Sequence, residues 1–299
     1  VFDNAPNIWY INWQSTTVPL PRFPVSNTTT HNNVENLYFY NTNVFTLFQS
    51  QIFKTFPSLK YLQIQNSPLA EFPDLFNASK VERIMIYENQ VAGLTSQTNL
   101  PKINNLKELR LNSNKITTLF ASFFDYMVNL ELVYLYDNQI TQLPEGVFTY
   151  LCKVIQFDIH SNLITSLPSR TGLWGTCKLR ELILYHNRIE AFPEGFLTNM
   201  SVLYNLHISN QLDMGTEMSV PSDWGLPEQN IVRTLTMYNA RALKVIPNGF
   251  LKNFPALYSL DLDTCRIHTV WNVSLIPVTN ILDTIELCDN MLEYLPENF

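Results

Sequence analysis

Asp158, His160, His207 and Ser209 are the residue types from which a hydrolytic centre is built: a hydroxyl to attack, an imidazole to take its proton and a carboxylate to orient the imidazole. The histidines and Asp158 would also suit a metal ion. Asp261, Asp263, Glu286 and Asp289 form a separate acidic group. It could receive a basic patch or a cation, or simply be solvated surface. Other chemistry is poorly provided for. The eight glycines form no phosphate-binding loop, the four cysteines contain no CxxC pair for zinc, and His31, His186 and His268 make no further group. Whether the first four residues can work together depends on the elements that hold them.

Those elements are repeated. The stretch LELVYLYDNQITQLPEGVF from Leu130 places Leu130, Val133, Leu135, Asn138, Ile140 and Leu143 at steps that fit neither a helix nor one long alternating strand. The pattern recurs from Val81, Leu106, Val154, Leu179 and Leu282, and in weaker form from Val34, Leu59, Leu203, Val232 and Leu257. This makes eleven units over 34–299, the last of them truncated, and their starts are nearly evenly spaced. Residues 1–33 form a degenerate, cap-like segment with a partial unit around Asn7–Trp13. A unit this short cannot bury its own apolar face, so units must stack in one continuous solenoid. Within each, two apolar residues point inward from a short strand and their neighbours point outward. The Asn leaves the strand at a turn, where its amide can satisfy buried backbone groups. Phe53, Phe124, Phe148 and Phe250 are expected to form a packed column behind the sheet. The unit from Leu203 has Gln211 in place of Asn and is the longest, the next start coming only at Val232. Its extra residues over 212–230 are either padding or a functional projection.

The units match LxxLxLxxNxL, and the chain resembles the leucine-rich repeat family along essentially its whole length. Leu143-Pro144 with Phe148, Phe192-Pro193 with Phe196 and Ile246-Pro247 with Phe250 resemble the LPxxxF half of the typical animal extracellular subfamily. The resemblance implies an α/β horseshoe: a parallel β-sheet on the concave face, with irregular loops, turns and short helices on the convex face. It also tolerates Cys265 at the Asn position of one unit.

The repeat register identifies the outward residues, at the third, fifth and seventh positions of each unit. Eight of the 14 tyrosines fall there: Tyr38, Tyr40, Tyr61, Tyr87, Tyr134, Tyr136, Tyr185 and Tyr238. With Arg83, Arg110, Asp158, His160 and His207 they form the candidate ligand-binding surface. Tyr joins a large apolar area to a hydroxyl at low entropic cost, which suits protein binding. It also suits any strand. Asp158, His160, His207 and Ser209 are spread over strands about 5 Å apart, with Tyr185 between His160 and Ser209. The chain is therefore expected not to be an enzyme, and no cofactor or metal is assigned.

Charged residues are only 15% of the chain and the net charge is −7, without a Lys/Arg cluster, which argues against nucleic acid as a partner. No apolar run is long enough to span a bilayer, so membrane insertion by this segment is not expected. Cys152 and Cys177 occupy equivalent places in adjacent units, within reach of a disulfide. Cys265 should point inward and Cys288 outward. Sequons at Asn27, Asn77, Asn199 and Asn272 all avoid the strand segments, leaving the sheet free of sugars. The ends show no disulfide-bearing cap, so the chain is expected to be a fragment or to have its ends covered by partners. The function these features imply is a secreted or cell-surface recognition or adhesion module taking a protein or glycan ligand on its concave face. The alternative is a structural part of an extracellular coat, matrix or filament that self-associates through uncapped ends.

Overall fold

The computed structural model describes residues 10–14, 33–42, 56–72, 79–94, 104–147, 149–168, 178–211, 218–247, 249–270 and 281–293. Its strands, in chain order, are β1 (Tyr10–Gln14), β2 (Asn36–Tyr40), β3 (Tyr61–Gln65), β4 (Arg83–Tyr87), β5 (Glu108–Arg110), β6 (Leu132–Tyr134), β7 (Gln156–Asp158), β8 (Glu181–Ile183), β9 (Asn205–His207), β10 (Thr234–Thr236), β11 (Val245–Ile246), β12 (Ser259–Asp261), β13 (Thr269–Val270) and β14 (Thr284–Glu286). Twelve of them form one parallel sheet in chain order, and β11 and β13 pair separately on the other side of the coil. Each strand pairs with the next in the register set by the repeat. Leu132 meets Gln156, Val133 meets Phe157 and Tyr134 meets Asp158. The partial unit near the N-terminus takes part as well, since β1 pairs with β2 from Tyr10 opposite Asn36 to Gln14 opposite Tyr40.

The alternation expected of a half-buried strand is visible in the sheet. In β2, β3 and β4 the second and fourth residues are buried and the others face outward. The inward residues of successive units stack into one apolar core, where Leu109, Val133, Phe157, Leu182, Leu206, Leu235 and Leu260 are fully buried. The convex side is made of turns, and the helix among the described residues is a single 3-10 turn, Phe250–Asn253.

Two features make this coil from its sequence. The first is the amide ladder. Asn138 Nδ2 donates to Leu111 O (2.9 Å) of the preceding unit and to Leu135 O (3.0 Å) of its own, while its Oδ1 accepts the Ile116 N–H at 3.0 Å. Asn114, Asn162, Asn187 and Asn290 do the same work, and Gln211 reproduces it with its longer side chain. Cys265 is buried and its Sγ donates to Met237 O at 3.0 Å. Thr42, Ser67 and Ala240 hold the same position in other units. The second feature lies one residue earlier. Asn41, Asn66, Glu88, Ser113, Asp137, Ser161, His186, Asn210, Asn239, Thr264 and Asp289 all have φ between 47° and 56° or, for Thr264, 59°. This left-handed residue turns the chain out of the strand. Asn, Asp and Ser occupy most of these sites because short polar side chains bear that conformation at least cost.

The long unit from Leu203 is part of the core. Trp224 is fully buried and packs between Phe196 (6.5 Å between ring centres), Phe192 (5.5 Å), Phe250 (6.0 Å) and Phe254 (5.6 Å). It continues the aromatic column at the position, three residues after the proline, that Phe196 and Phe250 hold in the neighbouring units. Glu194 fixes the loop by accepting hydrogen bonds from the Ser222 and Asp223 N–H groups, both at 2.9 Å. Gly225 lies directly against Gly195, with a Cβ built there falling 2.8 Å from Gly195 Cα. Residues 218–230 are thus packed structure, whereas 212–217, Phe53 and Phe148 lie outside the described residues.

Candidate binding face

The outward positions of the sheet form one surface, and it is more tightly filled than a solvated strand face would be. Glu108, Asn112, Asp158 and Ser209 are buried although they point outward, and Ile183 is buried with them. The reason is curvature: side chains on a concave sheet converge and cover the shorter ones between them. Of the candidate residues, Tyr38, Tyr40, Tyr61, Tyr87, Arg110, Tyr134, Tyr136, His160, Tyr185 and His207 are half-buried, while Arg83 and Tyr238 are exposed. Asp158 does not face solvent as expected.

At the centre three rings stack across three units. The Tyr136 and His160 rings are 4.5 Å apart with 8° between their planes, and His160 and Tyr185 are 4.2 Å apart at 20°. His160 is held there by Asp158, whose Oδ1 lies 2.6 Å from Nδ1. The expectation that strand spacing separates the four polar residues fails for this pair. They occupy adjacent outward positions of one unit, so their side chains meet. Ser209 Oγ, in contrast, makes no hydrogen bond among the described residues. His207 turns its Nδ1 to Thr236 Oγ1 (3.0 Å) and its Nε2 towards Glu181 (3.7 Å). The four residues of the hydrolytic hypothesis therefore make no Ser–His contact. Burial pushes the His207 imidazole below its ordinary pKa, against the opposing charge of Glu181.

The face differs along its length. At the N-terminal end the Tyr10 ring lies 4.9 Å from that of Tyr38, tilted by 35°, adding a ninth tyrosine that the degenerate first unit had concealed. Tyr87 donates to Gln65 Oε1 at 2.6 Å and accepts from Gln63 Nε2 at 2.9 Å. Arg83 lies 5.5 Å from the Tyr61 ring centre and Arg110 lies 4.6 Å from that of Tyr134. Both guanidinium groups are tied to the buried Glu108, Arg83 at 3.5 Å and Arg110 in direct contact. Burial works against the Arg110 charge, but the hydrogen bond it donates to Glu108 outweighs this and raises the pKa. Burial also pushes up the Tyr38, Tyr87, Tyr134, Tyr136 and Tyr185 hydroxyls, which stay protonated hydrogen-bond donors. At the C-terminal end the carboxylates of Asp261, Asp263 and Glu286 lie within 4.8 Å of one another. Burial raises the Asp261 pKa, although the Asp263 N–H partly offsets it.

Beside the sheet, where chains enter the strands, is an open hollow of about 590 Å³. Ile155, Tyr204 and Ile231 line it and are exposed, and it opens onto the outward residues Gln156, Glu181 and Asn205. The signal for it was an apolar residue flanking the buried start of those units, second in the unit at Ile155 and Tyr204 and just before the start at Ile231. Asn199 is exposed on a convex turn at φ 72°. Asn27, Asn77, Asn272 and Cys177 lie outside the described residues. Cys152 and Cys288 are exposed, and Cys265 is buried with its thiol pushed up to about 12, chiefly by that burial.

This architecture has known counterparts. Residues 104–164 match the leucine rich repeat family. No curated protein sequence matches the chain. Among solved structures, the Drosophila Toll–Spatzle complex aligns with a TM-score of 0.61 at 24% identity over 80% of this chain and 31% of that one. A TLR13–ssRNA13 complex aligns at 0.60 and 19% identity, over 89% and 41%. FLRT2-type repeats in an octameric complex with Latrophilin 3 and Unc5D align at 0.64 and 18% identity, over 89% and 76%. The chain spans less than half the length of the Toll and TLR13 chains it matches. With the parallel sheet, the amide ladder and the match over 104–164 on one register, the chain has the leucine-rich repeat fold. No helix among the described residues is long and apolar enough to cross a membrane.

Proposed function

We propose that the protein is an extracellular recognition module that binds a protein partner through its tyrosine-rich concave face. The observation that carries this is the central surface of Tyr134, Tyr136, His160 and Tyr185, a preorganised aromatic platform with few side-chain rotamers left to fix on binding. The similar solved structures are complexes in which a repeat solenoid meets Spatzle, RNA, or Unc5D and Latrophilin 3. Protein fits this chain better than RNA, because its net charge is −7 and Arg83 and Arg110 are already committed to Glu108. An exposed Asn199 on the convex side is compatible with a sugar that leaves the face open, and a Cys152–Cys177 bridge belongs to the same extracellular reading.

The test is a selection of binders from a displayed protein library, followed by affinity measurements on variants. Tyr136→Ser and Tyr185→Ser should each weaken most selected binders about tenfold or more, as expected of buried aromatic anchors. Tyr126→Ser and Tyr150→Ser, exposed residues away from the sheet, should leave them unchanged. Binders indifferent to the first pair would refute the proposal.

A further inference from the structure

Tyrosine at the seventh position occurs in every second unit: Tyr40, Tyr87, Tyr136, Tyr185 and Tyr238, with Gln65, Asn112, His160 and Ser209 between them. Two strand spacings are about 9.4–9.8 Å at the backbone. The rings are slightly closer, because the Tyr136–His160 and His160–Tyr185 stacks measure 4.5 and 4.2 Å. Successive tyrosines of this row therefore stand about 9 Å apart along the solenoid. A polyproline II helix has three residues per turn and rises about 3.1 Å per residue, so its pitch is about 9.3 Å. An extended strand presents side chains on one face about every 6.6–6.8 Å, and an α-helix has a pitch of about 5.4 Å, so neither keeps step with the row.

From this match we propose that the concave face recognises a proline-rich segment in the polyproline II conformation, lying along the row with a basic residue over the acidic end. The proposal rests on the reading of the face as a protein-binding surface and specifies the partner's chemistry.

Three further observations fit it. Tyr136 and Tyr185 are half-buried and Tyr238 is exposed, so their hydroxyls reach the surface, and polyproline II has no internal hydrogen bonds, so its carbonyls can accept from them. Between Tyr136 and Tyr185 the gap is filled by His160. Asn112 and Ser209 lie buried beneath the Tyr87–Tyr136 and Tyr185–Tyr238 steps, so along the row the tyrosine rings form the contact surface. Those two steps are four strands apart, or about 19 Å, which is two polyproline turns.

Charge fixes the far end. Asp263 follows Tyr238 in the row, two strands beyond Ser209 and thus about one polyproline turn further on. Asp261, Asp263 and Glu286 take part in no ion pair among the described residues, and a guanidinium there would relieve their mutual repulsion. The recognised pattern is proline at every third position over three turns, with Arg or Lys one turn later.

Fluorescence anisotropy with labelled ten-residue peptides tests this. The probes are PLSPLSPLSR, its reversed sequence RSLPSLPSLP, an all-Ala replacement of the prolines, and the strand-forming TVTVTVTVTR. One of the two proline peptides should bind at least tenfold more tightly than the Ala peptide. Tyr185→Ser and Tyr238→Ser should each cut that affinity about tenfold, with unchanged circular dichroism. A triple Asp261→Asn, Asp263→Asn, Glu286→Gln variant should remove both the advantage of the arginine and most of the salt dependence. Equal binding of the Ala peptide, or no binding by either proline peptide, overturns the polyproline proposal. If instead the strand-forming peptide binds best and weakens on Tyr185→Ser, the face survives as a binding surface and only the polyproline specificity falls. If peptide binding ignores both tyrosine replacements, the two proposals fall together.

Discussion

Replacing Asn162 by Ala tests the amide ladder at a point directly behind the ring stack. Asn162 is 4% exposed. Its Nδ2 donates to Leu135 O (3.0 Å), Ile159 O (3.0 Å) and His160 O (3.1 Å), and its Oδ1 accepts the Ile140 N–H at 3.0 Å. The four lost bonds are not equivalent. Leu135 O still accepts from Asn138, Ile159 O from Asn187, and His160 O from the Asp137 N–H. Only the Ile140 N–H is orphaned, in a residue with no solvent exposure. An unpaired buried donor costs about 1–3 kcal/mol. The void left by the amide adds about 1 kcal/mol, for a total loss of about 2–4 kcal/mol. Urea denaturation measures the total, and native-state hydrogen exchange locates it, because the Ile140 amide should lose protection before its neighbours do. Asn162→Gln should keep that amide protected, since Gln211 makes the same four contacts in its own unit. A loss below about 0.5 kcal/mol in the Ala variant, with Ile140 still protected, would refute this account of the ladder.

Gly225→Ala should destabilise by about 3 kcal/mol in thermal unfolding, because φ is 77° and the new Cβ would meet Gly195 Cα at 2.8 Å, a backbone contact that cannot rotate away. Trp224→Ala should cost about 3–5 kcal/mol. Trp224→Phe should cost less than about 1.5 kcal/mol in the same assay, since it also removes an indole N–H that has no hydrogen-bond partner among the described residues. Because burial depresses the His207 pKa, the folded chain takes up that proton less readily than the unfolded chain. Its contribution is fully present above the unfolded value of about 6.5 and is lost as pH falls through the depressed folded value. The urea midpoint should therefore drop less between pH 7.5 and 5 in His207→Asn than in the parent.

The coil was legible because its cause is local and recurs. Leu130, Val133, Leu135 and Asn138 repeat at fixed offsets, and eleven copies in register leave one architecture that buries them all. What escaped the sequence depends on contacts between units or within a strand. Trp224 stands further from its repeat start at Leu203 than Phe196 does from Leu179, so it is found only by counting from the proline, three residues on in Pro193–Phe196, Pro221–Trp224 and Pro247–Phe250 alike. The Asp158–His160 contact required knowing that curvature buries Asp158 beneath its neighbours. Ala240 shows that one ladder site can be left empty, with its own N–H donating instead to Met237 O at 3.3 Å. The left-handed position, by contrast, was readable in principle: eight of its eleven residues are Asn, Asp or Ser.

The repeat period also separates frame from function on the concave face. Every requirement of the coil recurs once per unit: the two inward apolar residues, the ladder group and the left-handed residue before it. Tyr40, Tyr87, Tyr136, Tyr185 and Tyr238 recur once per two units, and the coil contains nothing of that period. If tyrosine were present only because it suits a strand, the positions now held by Gln65, Asn112, His160 and Ser209 would suit it equally well. A ligand laid along the solenoid is subject to no such equivalence. It meets a new strand about every 4.8 Å, and a ligand whose own repeat is about 9 Å makes equivalent contact only with every second one. His160 is consistent with this division, since it braces two tyrosines of the row while its imidazole is covered on both faces and tied to Asp158. The residues between the tyrosines then serve as spacers, with Ser209 and Asn112 buried beneath the row and the rings left to make the contact.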